Sequence, residues 1–236
     1  MNQRLPETLA DLPSPSTSAG ILLVLAGIAS VLGFFARGEQ DIWGDEAVLE
    51  SIQAIDAPGL ELAVRVSNFA FDTAGALLVA IVLVAVALLL RRPVFVLEMA
   101  VVIAFRVAVI VLKPLFASPR PGTEHHVDLA HVPETFGYPS GHAFTAPVVT
   151  GMFVLFIDSL NLPSVFKGIA IVLATLVTAL GMFSRIWIGA HWPSNTIGGV
   201  LYGIAAVALM RIIASFIVLQ FGSLFSTAAR GRSLRR

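Results

Sequence analysis

Three cationic side chains and two histidines have the types and spacing to handle a phosphate group. Lys113 precedes Arg120 by seven residues, and Arg185 precedes His191 by six. Two guanidinium forks and an ammonium group suit a dianionic oxyanion, because each fork can donate two parallel hydrogen bonds to its oxygens. His142 and His191 can divide a group transfer between a nucleophile and a proton donor. These residues therefore predict a phosphate site that contains two histidines.

A short run of small residues supplies the backbone groups that such a site also needs. Ser140, Gly141 and His142 come directly before an apolar stretch of the chain. The first N–H groups of a helix have no partner within the helix, and the helix dipole makes that end positive. We therefore expect a helix N-terminus at Ser140 that helps to bind the phosphate oxygens.

Six apolar stretches could bring these residues to one membrane surface. Of the 236 residues, 57% are hydrophobic and 13% are charged, about half the charged fraction of an ordinary soluble domain. Each stretch approaches the roughly 17 to 25 residues that a spanning helix needs. The predicted spans are Ala19–Ala36, Ala74–Leu90, Val94–Leu112, Ala143–Leu160, Val165–Phe183 and Ile197–Phe221. The predicted fold is an all-α, polytopic bundle of six transmembrane helices.

The predicted domain organisation is one membrane domain, residues 19–221, between two tails. We expect Met1–Ser18 to be a flexible N-terminal tail and Gly222–Arg236 to be a basic cytoplasmic tail. Eight Lys and Arg residues lie on the side that holds both termini, against five in the other loops, which predicts that both termini are cytoplasmic. The candidate site would then be extracytoplasmic, in a protein integral to the cytoplasmic membrane. The outer loops are Arg37–Thr73, Lys113–His142 and Ser184–Thr196.

Composition excludes several kinds of site and partner. The chain has no cysteine, which rules out disulfides, thiolate catalysis and thiolate metal sites. A net charge of zero gives no reason to expect nucleic acid as a partner. His125, His126 and His131 lack the spacing of a metal-ligand set, so we interpret them as solvated loop histidines and predict no metal.

Three sequence blocks around the candidate residues occur in a fixed order. The blocks are Lys113-x6-Arg120-Pro121, Pro139-Ser140-Gly141-His142 and Ser184-Arg185-x5-His191. Together they resemble the signature of the type 2 phosphatidic acid phosphatase family, and three ordered blocks are specific where any single one would be weak. The resemblance implies a membrane phosphatase that needs no cofactor. Its substrate partner would be a lipid phosphate or diphosphate in the bilayer, such as undecaprenyl diphosphate, phosphatidic acid or phosphatidylglycerol phosphate.

The resemblance also implies a role for each matching residue. His191 would attack phosphorus and form a phosphohistidine, and His142 would protonate the leaving oxygen. Water would then release phosphate, or another acceptor would take it in a phosphotransferase. The residues implied to hold the phosphoryl oxygens are Lys113, Arg120, Ser140, Gly141 and Arg185.

One catalytic position departs from the family pattern. The third block usually ends in an aspartate that supports the nucleophile, and here that residue is Asn195. The Asn195 amide can accept a hydrogen bond from His191 but brings no charge. Three interpretations stay open: a slow enzyme, an engineered trap, or an enzyme with a substitute carboxylate from Glu124, Asp128 or Glu134. The alternative function is a low-turnover or inactive homologue that binds lipid phosphates.

The first outer loop is acidic and contains one amphipathic segment. Its apolar residues Val48, Leu49, Ile52 and Ile55 have helical spacing. This pattern predicts an interfacial helix with a solvated charged face.

Overall fold

Helices make up all the regular secondary structure in the part of the chain that the structure describes. The computed structural model describes residues 15–38, 42, 44–90, 95–96, 99, 109–122, 135–160 and 162–230. The helices are α1 (Pro15–Phe35), α2 (Asp45–Gln53), α3 (Leu60–Phe71), α4 (Thr73–Leu89), α5 (Gly141–Ser159), α6 (Ser164–Trp187) and α7 (Pro193–Arg230). Residues 109–116 are also helical. The predicted all-α class is therefore confirmed for these ranges.

Four of the described helices are long and apolar enough to cross a membrane. They are Ser16–Phe35, Gly141–Asp158, Ser164–Trp187 and Pro193–Ile217. Helices α3 and α4 meet at 68° and add a fifth if this bent pair is counted as one span. The predicted third span, Val94–Leu112, lies mostly outside the described residues. The count of six transmembrane helices therefore stays a prediction.

The bend between α3 and α4 occurs at Asp72. This residue has an extended backbone, with φ −67° and ψ 170°, and its carboxylate accepts a hydrogen bond from the Thr73 N–H at the start of α4. A carboxylate acceptor at this position is a normal way to begin a helix. Asp72 therefore separates an amphipathic helix, α3, from an apolar one, α4.

Several helices extend beyond the apolar stretches that predict them. Helix α1 begins at Pro15, so residues 15–18, which the sequence assigned to the N-terminal tail, are helical. Helix α7 continues to Arg230, so most of the predicted basic tail is also helical. Helix α6 runs four residues past Phe183, which places Arg185 in its last turn. Hydropathy marks only the apolar part of a helix, and polar residues can continue the same hydrogen-bonded ladder.

Helices α5 and α7 approach each other closely beside the site. A Cβ atom added to Gly199 would lie 2.6 Å from the carbonyl oxygen of Ser140, and one added to Gly203 would lie 2.5 Å from that of Phe144. Small residues at this spacing let two helix backbones approach closely. The beginning of α5 is therefore held beside the beginning of α7.

Tyr138 connects α1 to the loop that leads into α5. Its side chain is fully buried, and its hydroxyl donates a hydrogen bond to the Ala29 carbonyl in α1. The ring packs against Phe116, with ring centroids 5.1 Å apart. Burial raises the pKa of Tyr138 well above its usual range, which keeps the hydroxyl protonated as a donor. These contacts fix the position of Ser140, two residues later.

Large apolar side chains remain exposed along α1, α4 and α6. Examples are Leu23, Ile81 and Val172, each more than half exposed. A water-soluble protein rarely exposes contiguous apolar surface of this extent, whereas a lipid bilayer solvates it. The described helices are those of an integral membrane protein.

Candidate active site

The turn after α6 places His191 in a buried position beside Arg185. Gly189 has φ 69°, a left-handed conformation that glycine adopts without strain. This reversal lets the N–H groups of Ala190 and His191 both donate to the Arg185 carbonyl, at 3.0 and 3.2 Å. Only 2% of the His191 surface is exposed. The fold thus fixes the backbone of the predicted nucleophile.

Arg120 contacts the His191 ring directly. Its Nη1 lies 2.9 Å from Nε2 of His191 and also donates to the Ala190 carbonyl at 2.6 Å. Its Nε donates to the Thr135 carbonyl at 2.7 Å. The same Nη1 lies 3.5 Å from Nδ1. Because a guanidinium can only donate hydrogen bonds and Nε2 is the nearer nitrogen, the contact favours the tautomer with an unprotonated Nε2. The ring proton then lies on Nδ1, and Nε2 has the lone pair that a nucleophile needs.

The predicted basic residues converge on His191. Burial lowers the pKa of His191 well below its usual range, and the charges of Arg120, Arg185, Lys113 and His142 lower it further. At neutral pH the imidazole is therefore uncharged, which is the form able to attack phosphorus. The sequence predicts these four residues at three separate helix ends, and all four lie close enough to His191 to affect its pKa.

Lys113 is a cation whose charge depends on what occupies the site. Its Nζ donates to the Phe136 carbonyl at 2.6 Å. Burial, together with the charges of Arg120 and Arg185, lowers the pKa of Lys113 to about 7. Burial lowers the pKa of Arg120 only to about 10, so Arg120 stays charged at neutral pH. A bound dianion would favour protonated Lys113.

This coupling predicts that anion affinity falls as pH rises above about 7. The empty site loses a proton from Lys113 in that range, and binding must restore it, so the Kd for inorganic sulfate should rise about tenfold per pH unit. Sulfate is a suitable probe because its own charge does not change between pH 6 and 9. The measurement is calorimetric titration of the detergent-solubilised protein. A Lys113→Arg variant is the control and should show a nearly flat profile; a flat profile in the parent would contradict the prediction.

The predicted helix N-terminus begins at Ser140. Its hydroxyl caps α5 by accepting from the Ala143 N–H, and its own N–H donates to the Asn195 carbonyl at 2.9 Å. Apart from the adjoining residues and the backbone of α5, no atom of the described residues lies within 4 Å of the position that a Cβ on Gly141 would take. The positive end of α5 therefore faces open space at Gly141, next to the half-buried side chain of His142.

Arg185 is held by a residue to which the sequence assigned no role. Its Nη1 donates to Oδ1 of Asn68 at 3.1 Å, and the Ser184 hydroxyl donates to the same oxygen at 3.2 Å. Asn68 lies in α3, within the predicted first outer loop. No local spacing could indicate this contact, because 117 positions separate the two residues.

Asn195 occupies the position where the family has aspartate, but its side chain bonds elsewhere. Its Oδ1 accepts from the Ser118 hydroxyl at 3.4 Å, and its buried Nδ2 has no hydrogen-bond partner in the described structure. In the same ranges, His191 has no acceptor for its Nδ1 proton. The proposed substitutes Glu124, Asp128 and Glu134 lie outside the described residues.

An open groove of about 540 Å³ lies beside Lys113 and Arg120. Two of its lining residues, Ile110 and Phe136, are exposed apolar side chains. The groove therefore connects the cations to an apolar surface. Its remaining lining residues are Pro114, Ser118, Pro119 and Thr135.

The loop histidines His125, His126 and His131 also lie outside the described residues. Among the residues that the structure does describe, no cluster of three or more His, Asp or Glu side chains could hold a metal ion.

Two known proteins are similar to this chain. An undecaprenyl-diphosphatase from Sulfolobus acidocaldarius is 38% identical over 71 residues, a match that spans only 30% of each protein. The crystal structure of a transmembrane PAP2-type phosphatidylglycerolphosphate phosphatase from Bacillus subtilis superimposes with a TM-score of 0.61. That match covers 83% of this chain and 93% of the other at 22% identity, and it supports the fold alone.

A family model gives the broadest sequence match. The model of the PAP2 superfamily matches residues 95–218, which is more than half of the chain and includes every predicted site residue. The resemblance inferred from the three sequence blocks is confirmed at the level of the family, and the chain belongs to the PAP2 superfamily.

Proposed function

We propose that this protein is a membrane phosphatase that removes the terminal phosphate from a lipid phosphate or diphosphate. The observation that carries the proposal is the environment of His191. A buried, neutral imidazole presents an unprotonated Nε2 to Arg120, with Lys113 and Arg185 close enough to lower its pKa. A nucleophile among fixed cations is what phosphoryl transfer to a histidine requires.

The proposed reaction has two steps. First, Nε2 of His191 bonds to phosphorus while the bond to the leaving oxygen breaks, and His142 gives that oxygen a proton. Water then attacks the phosphohistidine, His142 takes the water proton, and the N–P bond breaks to release phosphate. Arg120 contacts Nε2 in the empty site, so it must shift to a phosphoryl oxygen when substrate binds. Gly141 and Arg185 would hold the remaining oxygens.

A lipid substrate is supported by the surroundings of the site. The groove beside Lys113 and Arg120 reaches exposed apolar residues, so a phosphate could bind the cations while its acyl or prenyl chain stays in the membrane. The two similar proteins are named for undecaprenyl diphosphate and phosphatidylglycerolphosphate. Phosphatidic acid has the same terminal phosphate chemistry and belongs in the same comparison.

The proposed topology follows the sequence. Six transmembrane helices would place both termini in the cytoplasm and the site on the extracytoplasmic face of the cytoplasmic membrane, as the distribution of Lys and Arg predicts. A lipid whose head group lies at the outer surface could then reach His191 without leaving the bilayer.

Phosphate release by the purified, detergent-solubilised protein tests this function. Phosphatidic acid, phosphatidylglycerol phosphate and a polyprenyl diphosphate are compared with glycerol 3-phosphate, all in the presence of a chelator. We expect release from at least one lipid and kcat/KM at least about 100-fold lower for glycerol 3-phosphate, because apolar burial of even part of a chain contributes several kcal/mol. Equal activity on glycerol 3-phosphate would contradict the lipid assignment.

A second candidate function is a lipid-phosphate-binding protein with little turnover. The observation that favours it is Asn195, whose amide bonds to Ser118 and leaves the Nδ1 proton of His191 without an acceptor in the described ranges. The cations could bind a phosphate without catalysing its transfer. Binding of a lipid phosphate without phosphate release in the assay above would support this function.

A further inference from the structure

Asp45 is a buried carboxylate outside the predicted constellation. It is the first residue of α2, and only 6% of its surface is exposed. Its Oδ1 accepts from the Ser194 N–H at 2.8 Å, and its Oδ2 accepts from the Ser194 hydroxyl at 2.5 Å. Oδ2 also accepts from the Ile42 N–H at 3.2 Å. Both oxygens are therefore committed to hydrogen bonds within the protein.

Ser194 lies between His191, the proposed nucleophile, and Asn195, the position at which the family has aspartate. It follows His191 by three positions, directly precedes Asn195, and is the second residue of α7. The residue before α7 is Trp192, which has no side-chain oxygen to cap the helix. Asp45 supplies that acceptor from another helix, and its negative charge is favourable at the positive end of α7.

Apolar packing holds α2 in this position. Leu49 is fully buried and contacts Ile186 and Trp192, which lie on either side of the turn that carries His191. The carboxylate of Asp45 and the side chain of Leu49 therefore both contact the segment around His191. Glu46 and Glu50 on the same helix are exposed, as the predicted solvated face requires, whereas Asp45 is buried.

The contacts favour a mechanical role for Asp45 over an electrostatic one. Every charge that alters the pKa of His191 is positive, and no carboxylate in the described residues contributes. The hydrogen bonds of Asp45 go to Ser194 and Ile42, whereas the ring nitrogens of His191 lie against Arg120. Asp45 therefore does not take over the role of the aspartate that the family has at position 195.

We propose that Asp45 is a positioning residue, which holds the turn from His191 to Asn195 so that the imidazole stays aligned with the phosphate. The inference rests on the proposed function, because it assigns Asp45 to the nucleophile of that reaction. A loosened turn would reduce attack on phosphorus but leave the three cations able to bind substrate. Small displacements of a nucleophile lower the rate of transfer far more than they lower binding.

The test compares Asp45→Ala with Glu50→Gln, which changes an exposed carboxylate on the same helix. We expect kcat to fall about 30-fold in Asp45→Ala with KM within about threefold of the parent, and Glu50→Gln to resemble the parent. Asp45→Asn keeps one acceptor for Ser194, so its kcat should lie between those of Asp45→Ala and the parent. All rates are measured on monodisperse protein, well below the melting temperature of each variant.

The affinities for two anions report separately on the alignment of the nucleophile and on the cations. Orthovanadate can accept a fifth bond from a ring nitrogen, so its Kd depends on the alignment of His191, whereas inorganic sulfate depends on the cations alone. We expect Asp45→Ala to weaken vanadate binding about tenfold and to change sulfate binding less than threefold. An equal loss of affinity for both anions would indicate general disruption of the site and would overturn the inference. Unchanged kcat and unchanged vanadate affinity would overturn it as well.

A second variant protects the test if Asp45→Ala does not fold. Ser194→Ala removes only the hydroxyl donor to Asp45 and should lower kcat about three- to tenfold without altering KM. Unchanged kcat in both Ser194→Ala and Asp45→Asn would overturn the positioning role. A parent protein that neither releases phosphate nor binds vanadate or sulfate would instead overturn the proposed function, and this inference with it.

Discussion

Replacing His191 with alanine is expected to abolish phosphate release, with a loss in kcat on the order of 10³-fold or more. The nucleophile at the position that Arg120 contacts would be absent. Sulfate affinity should change little, because Lys113, Arg120 and Arg185 remain. The measurements are steady-state phosphate release and acid-quenched trapping of labelled phosphoenzyme, which should appear only in the parent.

A His131→Ala variant is the matched control for this substitution. The resemblance assigns no role to His131, so its activity should equal that of the parent. Retention of even a tenth of the parental kcat by His191→Ala would exclude a phosphohistidine at that position. Such a result would direct attention to water attack assisted by His142.

Replacing Asn195 with aspartate is expected to raise kcat by at least about tenfold. The Nδ1 proton of His191 has no acceptor in the described structure, and a carboxylate at position 195 would be drawn to it and would stabilise the charge that develops on the ring. Aspartate to asparagine lowers kcat by about 10⁴ in serine protease triads, which sets an upper scale for the gain. The measurement is kcat of both proteins on the best lipid substrate.

The surroundings of Asn195 favour acceptance of this carboxylate. Ser118 already donates a hydrogen bond to the side chain, and the neighbouring cations would offset the buried negative charge. Asn195→Ala serves as the control and should not increase kcat. If Asn195→Asp produces no gain in kcat while the parent is active, the enzyme must support His191 with a carboxylate from another residue. If neither protein releases phosphate, the binding function is favoured.

The candidate site was predictable because its residues lie in short blocks at helix ends. The spacing from Lys113 to Arg120, and from Arg185 to His191, indicates candidate phosphate-binding cations and a histidine beside them without knowledge of the fold. Helix α4 begins and ends within one residue of the predicted span Ala74–Leu90, since an uninterrupted apolar run leaves little choice of boundary. These features depend on neighbours in sequence.

Asp45 and Asn68 could not be predicted in this way. Their partners lie 149 and 117 positions along the chain, respectively. Periodicity shows that α2 has an apolar face, but it does not show that the adjoining carboxylate is covered by the turn before α7. The acidic first outer loop was therefore interpreted as solvated, although two of its polar side chains hold Ser194 and Arg185.

The close contact of α5 with α7 divides the site into a fixed half and an adjustable half. Gly199 and Gly203 leave no room between the two backbones, and Ser140 is hydrogen-bonded to Asn195 across them, so the nucleophile turn and the α5 amides are held as one unit. Lys113 and Arg120 belong to the other half, where the groove is lined by loop and helix-end residues. Substitutions around that groove could therefore change which lipid is accepted without displacing His191. We expect divergence in substrate preference to accumulate on the groove side and the glycine-lined contact to tolerate little change.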